Sequence, residues 1–221
     1  MPSNVESNPY ISTNNKYSQS TYGGIGLIET PTARFSNDGE FGFGVSSEAP
    51  YNRLYAKMQF LPWMEAVVRY SEGTYLPYNP GSHQTWKDKG LDVKIRLLKE
   101  GNIRPELALG LLDLGGTGAY ASEYLVASKG FGNVDLSIGL GWGRLGGVDH
   151  FNNIIGWLDD NRNTRGGYKP TGGTLNFGRF FSGKKNSIFG GIEYYTPIDN
   201  LSLKLEYDTS DYSRVLGKET V

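Results

Sequence analysis

The chain carries two histidines, His83 and His150, and no cysteine. A hydrolase built on it would need one of those imidazoles beside a nucleophile or carboxylate. Asp149 precedes His150 directly, but neighbours in a chain seldom form a working pair. The stretch GWGRLG at 141–146 spells G-x-G-x-x-G. A dinucleotide site needs that spelling between a buried parallel strand and a helix, whereas the residues before it alternate in polarity. The plainer reading is that Gly139, Gly141 and Gly143 share one face and save space there or let backbones approach. No His/Asp/Glu cluster has the spacing of a metal site, and the lack of cysteine removes thiolate ligands, disulfides and a lipid-modified cysteine from these residues. Catalytic residues, metal ligands and cofactors are therefore all expected to be none.

A second set of residues suits a polar channel. Arg53, Lys57, Glu65, Arg69, Asp92, Lys94, Arg96, Glu106, Asp135, Lys204 and Glu206 each stand opposite apolar positions in alternating segments. They are candidates to line a lumen and set the charge preference of a hydrated polymer; equally, they could tie a narrow interior together as salt bridges. A third set, Tyr75, Tyr78, Trp86, Trp157 and Tyr168, falls between the alternating segments. Such rings could stack on sugars, or simply pack their loops.

The elements that position these residues are strands. In LDVKIRLLKE (91–100) Leu91, Val93, Ile95 and Leu97 alternate with Asp92, Lys94 and Arg96. The same period of two runs through Phe41, Phe43 and Val45; through Leu54, Ala56, Met58 and Phe60; through Met64, Ala66 and Val68; and through Leu107, Leu109 and Leu111. It returns in Val134, Leu136, Ile138, Leu140 and Trp142, and in Leu201, Leu203, Leu205 and Tyr207. Repetition over so many segments selects strands over helices. Short links at 61–63, 100–103, 130–132 and 197–200 fall at one end of the alternating strands, and longer ones at 72–87 and about 143–186 fall at the other. That is the loop asymmetry of an outer-membrane barrel. Phe60, Trp63 and Phe131 at one end and Tyr70, Trp142 and Tyr207 at the other would be its aromatic girdles.

These patterns predict an all-β, antiparallel transmembrane β-barrel of about ten strands starting at Gly23, either closed by itself or an incomplete part of a larger barrel. Leu91, Val93 and Ile95 would face lipid, and their charged neighbours the lumen. The alternative is a soluble antiparallel sandwich with its apolar faces packed together. A flexible polar arm is expected over 1–21, and a barrel domain, open to truncation at its C-terminus, over 22–221. A formal net charge of −1 argues against nucleic acid as a partner. The N-terminus shows no basic-then-apolar leader, so the chain either stays inside the cell or has had a leader removed.

Longer phrases carry a resemblance. GGIGLIETPTARFSNDGEF, PYNRLYAKMQFLPWMEAVVRY, KDKGLDVKIRLLKE, DLGGTGAYASEYLVASK, DLSIGLGWGRLGG and FGGIEYYTPIDNLSLKLEY resemble the YjbH/GfcD family of Gram-negative exopolysaccharide and capsule proteins. The likeness runs from about Tyr22 to Tyr207 and is weakest from about Arg144 to Lys185. It implies an outer-membrane β-barrel that acts without catalysis in exopolysaccharide or capsule production and export. The implied partners are the lipid bilayer, the polymer and other export or assembly proteins of the same system. Family members are usually much longer, so this chain would match their N-terminal part. The alternatives are a glycan-binding or assembly-scaffold domain that transports nothing, and, behind it, a membrane-barrel hydrolase.

Overall fold

A computed structural model describes residues 17–78, 81–166, 173, 175 and 177–212. Ten strands form: β1 (Phe41–Glu48), β2 (Tyr51–Leu61), β3 (Met64–Pro77), β4 (Thr85–Leu98), β5 (Glu106–Leu112), β6 (Ser122–Phe131), β7 (Val134–Gly143), β8 (Phe151–Asn152), β9 (Lys185–Tyr195) and β10 (Ser202–Tyr207). They make one antiparallel sheet in the order β1-β2-β3-β4-β5-β6-β7-β9-β10, with the two-residue β8 paired to β9 off that path. The all-β reading and the antiparallel pairing are borne out.

The sheet is open, and the expected first strand does not exist. Residues 23–40 contain no strand; Ile25 and Leu27 alternate, but the chain doubles back, with isolated bridges from Gln19 to Ile25 and from Gly26 to Pro31. The Leu27 amide donates to the Thr30 carbonyl at 2.9 Å, closing a tight turn in front of Pro31. An even count beginning at Gly23 would have allowed antiparallel closure. Nine strands on the path instead leave β1 and β10 running in the same direction, so these two edges cannot close antiparallel upon one another.

The two faces have opposite character. On the outer face Phe43, Val45, Val68, Ile138, Leu203 and Leu205 are exposed, Leu205 to 72%. On the inner face Arg53, Lys57, Glu65, Arg69, Asp92, Lys94 and Asp135 are buried, Asp92 to 6% exposure. A soluble sandwich would bury the first set and wet the second. Period-two alternation supplies the two faces, and residues 17–36, packed on the inner side, supply the burial.

Across one inner row the register reads Glu65, Lys94, Gly110, Tyr124, Gly141. A Cβ at Gly110 would lie 2.0 Å from the Tyr124 ring, and one at Gly139 would lie 2.2 Å from Phe189. These glycines make room for two inward rings that meet edge-on at 6.2 Å. The rings belong to a small apolar core with Ala33, Phe35, Ala108, Val126 and Leu145. Gly110→Val should therefore destabilise the fold by about 2 kcal/mol through overpacking. A lower urea midpoint with an unchanged denaturant slope would bear this out; an unchanged midpoint would contradict it.

Candidate functional site

The inner face is held together by side chains that reach across the sheet to the 17–36 segment. Arg34 is the centre of this network. Its Nε and Nη2 form a fork with Asp135 at 2.8 and 2.6 Å, and its Nη1 meets Glu100 at 2.5 Å and Glu106 at 2.9 Å. Three carboxylates on separate elements thus share one guanidinium that is 1% exposed. Planar forks of this kind are the strongest ion pairs a buried arginine makes.

The segment's backbone is satisfied by charges as well. The Glu206 carboxylate accepts from the amides of Ile28, Glu29 and Thr30 at 2.9 to 3.2 Å. Lys204 donates to the carbonyls of Gly26 and Leu27, both at 2.9 Å. Lys94 donates to the carbonyls of Ile25 at 3.1 Å and Arg34 at 2.7 Å, and pairs with Glu65 at 3.1 Å. One irregular segment therefore bridges β3 and β4 on one side and β10 on the other.

Each lumen candidate has a defined place. Arg69 pairs with Asp92, which also accepts from the Asp113 amide at 2.8 Å. Arg96 donates to Glu106 at 2.6 Å, and Lys57 reaches Ser36 and Glu40. Arg53 reaches Glu48 at 3.4 Å and the Tyr22 hydroxyl at 3.2 Å. The structure brings these residues together as bonded pairs on the inner face, packed against the 17–36 segment. Sequence reasoning missed Arg34, Glu100 and Glu193, the last of which accepts from the Ser202 hydroxyl at 2.7 Å, and it gave Glu123 and Lys129 no role. Glu123 forms a fork with Arg165 at 2.7 and 2.8 Å, and Lys129 donates to Glu100 at 2.9 Å. The available signal for Arg34 was a charge inside TARF, flanked by residues that read as a strand.

The loop aromatics divide. Tyr75, Tyr78 and Trp157 are exposed. Trp86 is half-buried against Tyr51 and Tyr120, with ring centroids 6.4 and 5.9 Å apart. Tyr168 lies outside the described residues. Trp142 departs from the expected girdle: it is 3% exposed, lies edge-on to Phe181 at 5.2 Å and donates to Asn153 at 2.9 Å. The connection between β7 and β9 covers it, because the same connection brings Arg165 to Glu123 on that side of the sheet. His83 is exposed. His150 stacks on Tyr207 at 5.9 Å and accepts the Ile188 amide at 3.0 Å, so it is a strut and not a loose loop residue.

A family model described as "exopolysaccharide biosynthesis protein YbjH", the YjbH family, matches residues 18–220. The chain belongs to that family. A relative from Escherichia coli strain K12, named "uncharacterized lipoprotein YjbH", is 39% identical over 201 residues. The match covers 89% of this chain and 29% of the relative, so the chain spans under a third of that protein's length. No solved structure matches. In this YjbH-family chain, the phrases that carry the likeness contain Arg34, Glu65, Asp92, Lys94, Asp135 and Glu206, six members of the network just described.

Two carboxyls next to the network sit far from their ordinary range. Burial pushes Asp113 up to about 7, helped by the nearby carboxylates of Asp88 and Asp92 and opposed by Arg69. Burial likewise pushes Glu29 up to about 7, against the Thr21 hydroxyl that donates to it. Both folded values exceed the roughly 4 of an unfolded carboxyl, so the folded state binds more protons between them. Their stabilising contribution is fully present below about pH 4 and is lost as the pH rises through about 7. Melting midpoints should fall from pH 5 to pH 8, and Asp113→Asn should flatten the fall; a midpoint that rises over this window contradicts the assignment. Separately, Arg34→Met should cost about 3–5 kcal/mol, because it leaves the buried Asp135 carboxylate without its cation and leaves Glu100 and Glu106 with only Lys129 and Arg96. Equilibrium unfolding of the two proteins side by side measures it.

Proposed function

We propose that this chain is a non-catalytic outer-membrane component of an exopolysaccharide or capsule production and export system, with its apolar sheet face against lipid. Family membership supports the exopolysaccharide role, since the matching family is described as an exopolysaccharide biosynthesis protein. The observation that carries the membrane reading is the inverted polarity of the sheet: large apolar residues outside, ion pairs inside. Among the described residues no helix is long and apolar enough to cross a membrane, so the crossing would be made by strands. Phe60, Trp63 and Phe131, exposed at the short-turn end, fit an interfacial girdle there. The relative's name as a lipoprotein of a Gram-negative bacterium agrees with an envelope location.

An open sheet cannot sit in lipid, because the free amides and carbonyls of β1 and β10 would have no water to bond. On this reading further strands pair with both edges and complete a barrel. The total must be even if all neighbours are antiparallel, so an odd number joins the nine on the path.

A second reading, a scaffold or glycan-holding domain that conducts nothing, is favoured by one observation. Residues 17–36 occupy the inner side and consume its charges. Polymer passage through this interior would require that segment to leave. Fractionation of cells expressing the full-length protein, followed by unheated and heated electrophoresis, tests the membrane assignment. Recovery with outer membranes and a heat-dependent mobility shift is expected; recovery in the soluble fraction without a shift rejects it. Planar-bilayer conductance then separates the two readings, since the segment-filled interior should give no open-channel current.

A further inference from the structure

At the long-loop end of the inner face, three guanidinium groups gather around two tyrosine rings. Arg53, Arg69 and Arg144 lie 4.4, 5.0 and 4.5 Å from the centroid of Tyr22, and Arg69 and Arg144 lie 5.3 and 5.9 Å from that of Tyr120. Arg69 has Asp92. Arg53 has the half-exposed Glu48 at 3.4 Å. Arg144, 1% exposed, makes no ion pair among the described residues, and its Nε and Nη1 are buried without a hydrogen-bond acceptor. The Arg53 Nε and the hydroxyls of Tyr51 and Tyr120 are in the same condition. Five buried donor atoms lack acceptors on residues linked in a chain of contacts, Arg53 to Tyr51 at 5.5 Å, Tyr51 to Tyr120 at 6.3 Å and Tyr120 to Arg144 at 5.9 Å. Leaving such donors unpaired is costly, so a cluster built largely of guanidinium donors calls for an acceptor, and an anion suits it even though the Glu29 and Asp208 carboxyls also act electrostatically on Arg144. Trp86, half-buried against both Tyr51 and Tyr120, adds an aromatic face at the edge of the same cluster.

We propose that this cluster binds the oxyanion of an acidic sugar residue, with Arg144 and Arg53 holding the oxyanion, the Tyr51 and Tyr120 hydroxyls donating to it and Trp86 stacking on the ring. The inference rests on the reading that the chain handles exopolysaccharide, and it narrows the polymer to one bearing uronic-acid carboxylates. Guanidinium forks suit such groups, and an indole face suits the apolar side of a pyranose. Glu29, whose free Oε2 is buried beside these arginines, is the internal carboxyl that an incoming oxyanion must outcompete.

The test uses the full-length protein in detergent and isothermal titration with methyl glucuronide, its methyl ester, methyl glucoside and sodium sulfate. Expected is binding of the glucuronide at least tenfold tighter than the ester or glucoside, weakened at least tenfold by Arg144→Gln and several-fold by Tyr120→Phe and Trp86→Ala. A retained circular dichroism spectrum shows that each variant is folded, and Tyr120→Phe keeps the test decisive where Arg144→Gln fails to fold. Equal affinity for the acid and its ester, or full affinity in folded Tyr120→Phe and Arg144→Gln, overturns the proposal. Sulfate binding without glucuronide binding also overturns it, marking a site for an inorganic ion only. Titration in detergent is independent of fractionation, so a protein found in the soluble fraction can still bind the glucuronide, and the two readings fail separately.

Discussion

The structure depends on the satisfaction of its inner charges by the backbone and by Arg34 of residues 17–36. An ion removed from water must find opposite charge or dipoles at hydrogen-bond distance, or the fold loses several kcal/mol for each. Here Glu206 takes three amides, Lys204 and Lys94 take four carbonyls between them, and Arg34 takes three carboxylates. The segment can be irregular because the sheet's side chains do what a neighbouring strand would otherwise do for its backbone. The sheet, in turn, can turn its apolar residues outward because its ionic residues are already answered on the inside.

That arrangement bears on what the domain can do. The segment ties β3 and β4 to β10. The proposed role therefore rests on the outer face and the long-loop end. Under the proposed membrane assignment, the parallel sense of β1 and β10 calls for further strands beside them.

The two ends of the sheet are specialised. At the short-turn end Phe60, Trp63 and Phe131 are exposed, and the β4–β5 connection brings Glu100 to Arg34 and Lys129. At the other end the β7–β9 connection is anchored by the Glu123–Arg165 fork and by Asn153, whose amide donates to the carbonyls of Arg162 and Phe181 at 3.0 Å each. The same connection begins with Arg144 and so places the unpaired guanidinium against Tyr22 and Tyr120. The proposed oxyanion site thus depends on the loop and on the N-terminal segment together.

Period-two patterning by itself determined the strands, the apolar and ionic faces and the end at which the tight turns lie, because side-chain direction in a strand is a local property of the backbone. Glycine parity was legible for the same reason: Gly139 and Gly141 fall on the inner face wherever the sheet goes. Tertiary structure alone decided the rest. Ile25 and Leu27 alternate as a strand would, yet the turn before Pro31 and the charges of β4 and β10 hold that stretch as a strap. Arg34 meets partners 66, 72 and 101 residues away, and Trp142 is hidden by a loop that follows it. Alternation tells which side of a strand a charge occupies, but its partner is chosen by where distant segments come to lie, and no local period records that.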